Sequence, residues 1–153
     1  MDEALVRRAE ARDFEPVARL LEELGRGALT PAVEPVYRER YLRHLSRPDT
    51  ASLVAEVDGV VVGFLGLEFR ERLNRLAWEA WIPDLIVAAP YRGRGVGKAL
   101  LLRAFEAARA AGCSRVVLES GHARTVAHRL YRSVGMVERG IYLDLPLSEA
   151  APA

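Results

Sequence analysis

The sequence predicts a mixed α/β (α+β) fold, in which an antiparallel meander is followed by one strand–helix–strand crossover. Three observations carry that expectation. Two β-rich runs, 50–57 and 60–69, flank Asp58-Gly59; Asp-Gly between such runs marks a hairpin, because a type I′ turn needs positive φ at both central residues. Glycines at 93, 95 and 97 separate an apolar run ending at Val87 from a strong helical pattern. A further strand and a short helix then alternate along the chain. The expected order is β-α-α-β-β-β-α-β-α-β, a mixed and mostly antiparallel sheet with a right-handed crossover.

Each element has its own signal. Residues 4–9 can open the sheet. Asp13 reads as a helix N-cap with Pro16 in the first turn, and Val17, Leu20, Leu21 and Leu24 recur at helical spacing until Gly25. A loop over 31–35 leads to a second helix over 35–45, offering Val36, Tyr37, Tyr41, Leu42 and Leu45 to one broad face. After the hairpin and a charged loop over 70–75, residues 76–87 read as the third strand of the meander. Pro83 has no N–H for a ladder, so that strand should bulge or split there. The helix after the glycines runs to about Ala111 and is closed by Gly112. Residues 114–120 form a strand. Thr125–Ser133 is a short helix with Val126, Leu130, Tyr131 and Val134 at core spacing. A final strand is expected over 137–145, and 148–153 reads as a frayed tail, so 1–153 is taken as a single domain.

Composition narrows the functional classes. A chain of 153 residues can build a core without metals or disulfides. Half the residues are hydrophobic and 28% are charged, the profile of a soluble globular fold. A net charge of +1 gives no general attraction to nucleic acid or membrane, so neither is expected as a partner. Cys113, the single cysteine, forms no internal disulfide and reads as an apolar structural thiol. No apolar run approaches ~18 residues, and Asp2 and Glu3 stand where a signal peptide would be basic; the cytoplasm is the expected location. Lys98 is the one lysine among 22 basic residues, so an arginine here is not in itself a functional signal.

The stretch Arg92-Gly-Arg-Gly-Val-Gly-Lys98 has the makings of a pyrophosphate cradle. Glycine permits positive φ and close approach of the backbone to a ligand. At a helix N-terminus, unpaired N–H groups then face outward in a positive field that suits an anion. A Walker A loop does not fit, because its first glycine falls on Arg92 and its final Ser/Thr on Ala99. A dinucleotide-binding Gly-x-Gly-x-x-Gly fits poorly: the third glycine comes one residue early, and the loop follows an antiparallel meander. A glycine-rich turn without a ligand is the plain alternative.

Arg92-Gly-Arg-Gly-Val-Gly97 resembles the Arg/Gln-x-x-Gly-x-Gly/Ala signature of the GCN5-related N-acetyltransferases (GNAT superfamily). The resemblance extends to the hairpin Leu53–Phe64, to Asp84-Leu-Ile-Val87 as the strand leading into the loop, and to Ala127-His-Arg-Leu-Tyr131 with Gly135-Met136. It covers the chain from about 50 to 136, with the motifs in the family's order. It implies a GNAT fold with splayed central strands and a direct transfer from acetyl-CoA to an amine of a small molecule, peptide or protein. No metal is implied, and a homodimer is an expected assembly. A CoA-binding regulatory module without catalysis is the rival that the same motifs allow.

The resemblance also implies roles. The loop Arg92, Gly93, Arg94, Gly95, Val96, Gly97 and Lys98 would hold the pyrophosphate of acetyl-CoA. The backbone of Leu85, Ile86 and Val87 would hold the pantetheine in the gap between splayed strands. Tyr131 matches the tyrosine that protonates the departing thiolate; a phenol with pKa near 10 is protonated at neutral pH. Arg124 stands where many members have an asparagine that contacts pantetheine, so its position carries over without a role. An alkyl amine is only about one part in 10³ neutral at pH 7, so a base is needed. Asp84 is the first candidate, with Glu119 and His122 behind it and Glu79 also considered. His44 and His128 read as solvent-facing or locally packed.

Overall fold

The computed structural model describes residues 3–25, 27–120 and 125–148. It has a five-stranded sheet in the order β1-β2-β3-β4-β5, mixed and mostly antiparallel, with helices on both faces. Strand β1 (Leu5–Arg8) lies on the edge, followed by helices α1 (Phe14–Glu23) and α2 (Glu34–Ser46). Strands β2 (Thr50–Val57), β3 (Val60–Arg70) and β4 (Trp78–Val87) form the antiparallel meander. Helix α3 (Val96–Ala110) then crosses to β5 (Cys113–Val117), which pairs parallel with β4, and α4 (Thr125–Ser133) follows.

The local chemistry explains these boundaries. Asp58 and Gly59 have φ of 51° and 76°, the paired positive values of a type I′ turn. Asp13 precedes α1, but its side chain is turned away from capping that helix. It instead accepts the Glu10 N–H at 2.8 Å and two bonds from the Arg7 guanidinium at 2.7 and 3.0 Å. Arg7 also reaches Glu56 on β2 at 2.6 Å, so one guanidinium ties the edge strand, the α1 entrance and the hairpin together. The Arg7 hydrogen bonds hold the Asp13 carboxyl below the usual range, against an upward push from burial.

Two apolar layers flank the sheet. On one face, α3 and Tyr131 of α4 pack Val96, Leu100, Leu101 and Ala104 against Leu53, Leu65, Leu67, Ala80 and Ile82. On the other, Val17 and Leu20 of α1 cover Val54, Phe64 and Ile86. The two-residue period of the strands deals side chains alternately into these layers. Helix α2 buries no residue fully; Tyr37, Tyr41 and Leu45 are half-buried, while Val36 and Leu42 stand exposed, so its inward face is narrower than the apolar pattern implies. Val126 of α4 is likewise exposed rather than in the core.

The final strand expected over 137–145 is absent among the described residues. Ile141, Leu143, Leu145 and Leu147 alternate as a strand should, yet each is at least 76% exposed. A strand needs a ladder partner for its backbone and a layer for its apolar side chains, and among the described residues this segment meets neither.

Candidate functional site

Pro83 shapes the centre of the sheet. Asp84 pairs with Gly66 and Trp81 with Glu68, so Ile82-Pro83 on β4 opposes the single Leu67 on β3. That is a β-bulge, placed where the proline ring removes a donor. The parallel pairing of β4 with β5 runs only from Trp78↔Cys113 to Trp81↔Val117. Past the bulge, Leu85–Val87 keeps its β3 partners Leu65–Gly63, and among the described residues the β4–β5 ladder stops short of it. The two parallel strands part at that point. Leu85, Ile86 and Val87 therefore line one edge of an opening between strands. The Val87 carbonyl accepts a bond from the Arg92 guanidinium at 2.9 Å.

The opening leads to the start of α3. A short 3₁₀ turn, Ala89–Tyr91, follows β4, and Gly93 and Gly95 take φ of 75° and 85°. Gly95 is the N-cap of α3 in the left-handed region, a conformation that favours glycine. The first intrahelical bond runs from the Ala99 N–H to the Gly95 carbonyl, so the amides of Val96, Gly97 and Lys98 have no helical acceptor. Gly97 differs from the other two glycines. A Cβ there would sit 2.9 Å from Leu130 Cδ2, so Gly97 serves the close packing of α4 on α3. Arg92 is partly committed as well: its N–H donates to Ala89 at 3.3 Å, and its side chain lies 3.7 Å from Glu23. Arg94 stacks over the Tyr91 ring at 5.4 Å, and Lys98 is exposed. These are the features an anionic pyrophosphate needs: free amides, permissive backbone and loose positive charge.

Tyr131 is 9% exposed and packs in the α3-side cluster that also holds Val96, Leu100, Leu85 and Val87. Its neighbour Leu130 is the residue that packs at Gly97 in the first turn of α3. His122 and Arg124 lie outside the described residues.

On the opposite face, a cavity of about 190 Å³ lies between α1, α2 and the sheet. Ser52 and Asp84, both register partners of Gly66 on β3, lie on its floor. Ser52 and Asp84 line it with Phe64, and Asp84 stands next to the bulge. Glu22 of α1 and Tyr37, Arg40, Tyr41 and His44 of α2 complete the polar lining. Burial, with the nearby Asp13 charge, raises the Tyr41 phenol pKa; its hydroxyl donates to the Glu10 carbonyl.

The acids separate clearly. Asp84 lines this cavity. Glu119 is exposed and accepts a 2.8 Å bond from the Trp81 indole N–H, at the last β4–β5 pair before the strands part. Glu79 is 2% exposed, ion-paired to Arg70 at 2.8 Å and Arg72 at 3.3 Å. Burial pushes its carboxyl up, but the two guanidinium groups outweigh that and hold it below the ordinary value. The charged segment after β3 is thereby tied to β4 and takes no part in the cavity lining. Burial, with a smaller push from the Glu79 charge, raises the Cys113 thiol, which suits an inert thiol.

Arg40 gave no signal in the sequence, and His44, expected to face solvent or pack locally, lines the cavity instead. With Tyr37 and Tyr41 they form an i, i+3, i+4, i+7 stripe. The pattern is visible in the chain, but its polar members give no apolar signal.

The sequence matches the acetyltransferase (GNAT) family over residues 14–136, and the chain belongs to that family. It is 32% identical over 130 residues to the aminoalkylphosphonate N-acetyltransferase of Salmonella typhimurium, covering 85% of this chain and 82% of that one. It is 34% identical over 126 residues to the IAA acetyltransferase of Azospirillum brasilense, covering 81% and 78%. Its fold is similar to that of an aminoglycoside N-acetyltransferase solved in complex with CoA, with a TM-score of 0.80, 20% identity and coverage of 95% and 96%. Among the described residues no helix is long and apolar enough to cross a membrane.

Proposed function

We propose that this protein is an N-acetyltransferase that moves the acetyl group of acetyl-CoA directly to the amine of a small molecule, in the cytoplasm. The observation that carries the reading is the parting of β4 from β5 beside the glycine-bounded start of α3. One end of that opening suits a pyrophosphate, and its wall offers strand backbone to an extended chain. The fold shared with a CoA-bound acetyltransferase supports the same assignment.

In this reading the amides of Gly93 to Lys98, with Arg92, Arg94 and Lys98 nearby, hold the pyrophosphate, while Leu85, Ile86 and Val87 hold pantetheine by their backbone. Bound there, acetyl-CoA supplies the activated acetyl group. Asp84 accepts the proton that the acceptor ammonium must lose, since it stands on the cavity floor next to the opening. Glu119 is the second choice, held by the Trp81 indole outside the cavity lining. Tyr131 returns a proton to the thiolate that leaves. Arg124 keeps its place in the pantetheine set through the resemblance alone.

The acceptor side favours a small molecule over a peptide or protein. About 190 Å³ is below the ~300–1,000 Å³ common for drug-sized ligands, and the Salmonella relative is named for aminoalkylphosphonates. We also take the protein to act as a homodimer, which the exposed apolar residues at 141–147 support. The test is release of free thiol from acetyl-CoA across a panel of amines. Amine-dependent release is expected. CoA binding with no release for any amine would instead identify a regulatory module.

A further inference from the structure

The charges lining the cavity are arranged in opposition, and that arrangement bears on the acceptor. Helix α2 has three arginines. Arg38 pairs with Glu34 at 2.6 Å and Arg43 with Glu39 at 3.6 Å, each one turn back. The residue one turn before Arg40 is Val36, and the one after it is His44. Among the described residues no carboxylate lies within salt-bridge distance of Arg40, although it lines the cavity. His44 lines it too. Its Nδ1 is 2.9 Å from the Arg40 carbonyl; a carbonyl only accepts, so Nδ1 carries a proton and Nε2 is the remaining polar atom of the ring. Across from this pair, Asp84 marks the floor near the strand opening. The other acid in the lining, Glu22, accepts the Leu29 N–H.

We propose that the acceptor is an acidic amine, with a carboxylate or phosphonate held by Arg40 and its ammonium end directed toward Asp84; His44 adds a second donor to the anion when its Nε2 is protonated as well. The inference rests on the acetyltransferase reading for its chemistry and on the cavity for its selectivity. A guanidinium presents paired donors that match the oxygens of either anion. A neutral amine would leave Arg40 without that partner, in a space too small for a large polycationic acceptor. Arg40 is thus a specificity-determining residue and takes no part in proton transfer.

The test uses the full chain with acetyl-CoA and two pairs of acceptors: β-alanine with β-alaninamide, and aminoethylphosphonate with propylamine. Thiol release should give acidic amines a KM at least about tenfold below their neutral counterparts. Arg40→Ala should bring the acidic amines up to the neutral level mainly through KM, and Arg40→Lys should restore part of the preference. Equal KM values within the pairs, or a preference that survives Arg40→Ala, would overturn the inference while leaving the acetyltransferase reading intact. If no amine supports release, that reading fails, and calorimetric binding of aminoethylphosphonate decides the rest. Binding that Arg40→Ala weakens at least about tenfold upholds the acid subsite; no binding, or binding unchanged in the variant, overturns it.

Discussion

At the residue scale, three positions separate binding from chemistry. Gly95 caps α3 with φ of 85°, where a side chain strains the backbone and a carboxylate would repel an anion. Gly95→Glu is expected to abolish acetyl-CoA binding in calorimetry; unchanged affinity would remove the pyrophosphate assignment. Tyr131 is buried in the core cluster on the α3 side of the sheet. Tyr131→Phe should lower kcat by about 10²-fold with the acetyl-CoA KM little changed, and intact turnover would make water the acid. For Asp84→Asn the expected change is in the pH profile of kcat/KM. Loss of the base should cut the plateau by about 10²–10⁴-fold and remove its ionisation from the acid limb. A profile with the wild-type shape would transfer the role to Glu119.

At the scale of elements, the Arg7–Asp13–Glu56 cluster joins β1, α1 and β2 through charge rather than apolar area. Asp13 is 3% exposed, so replacing it leaves the Arg7 guanidinium with one fewer partner in a poorly solvated place. Asp13→Asn should destabilise the fold by about 2–3 kcal/mol, measured by urea denaturation at neutral pH. The sign with pH follows from the depressed carboxyl. The stabilisation is complete above the unfolded carboxylate's ~3.9 and is lost as pH falls through the lower folded value. Wild-type stability should therefore drop more steeply than the variant's on acidification below about pH 4; parallel curves would mean that Asp13 is not the linked group. The bulge belongs to this scale as well. Pro83 signalled it in the sequence, but the direction in which the strands then part depends on where β5 stops pairing.

At the scale of the whole molecule, the C-terminal segment is the conspicuous exception. Ile141, Tyr142, Leu143, Leu145 and Leu147 are all exposed, a concentration of apolar surface that monomers seldom leave uncovered. The homodimer proposal predicts a mass of twice 16.9 kDa by light scattering at micromolar concentration. A single-chain mass would refute it. The alternation that marked 137–145 as a strand is a property of the chain, whereas forming a strand requires a partner that the described residues of one copy do not supply.

How much could be read without the structure depends on how local each cause is. Turn chemistry at Asp58-Gly59, the left-handed glycines before α3, helix periods and the proline conflict act within a few residues, so the sequence alone determined the hairpin, the anion-suited loop and most element boundaries. The role of Gly97 was not legible, because its constraint comes from Leu130 more than thirty positions away. Nor was the cavity beneath α2. Ser52, Gly66 and Asp84 become one row only through strand register, and Arg40 and His44 face that row only once α2 has docked. Local backbone preference is written residue by residue; which charges share a cavity is decided by packing between distant segments, and only the tertiary structure carries it.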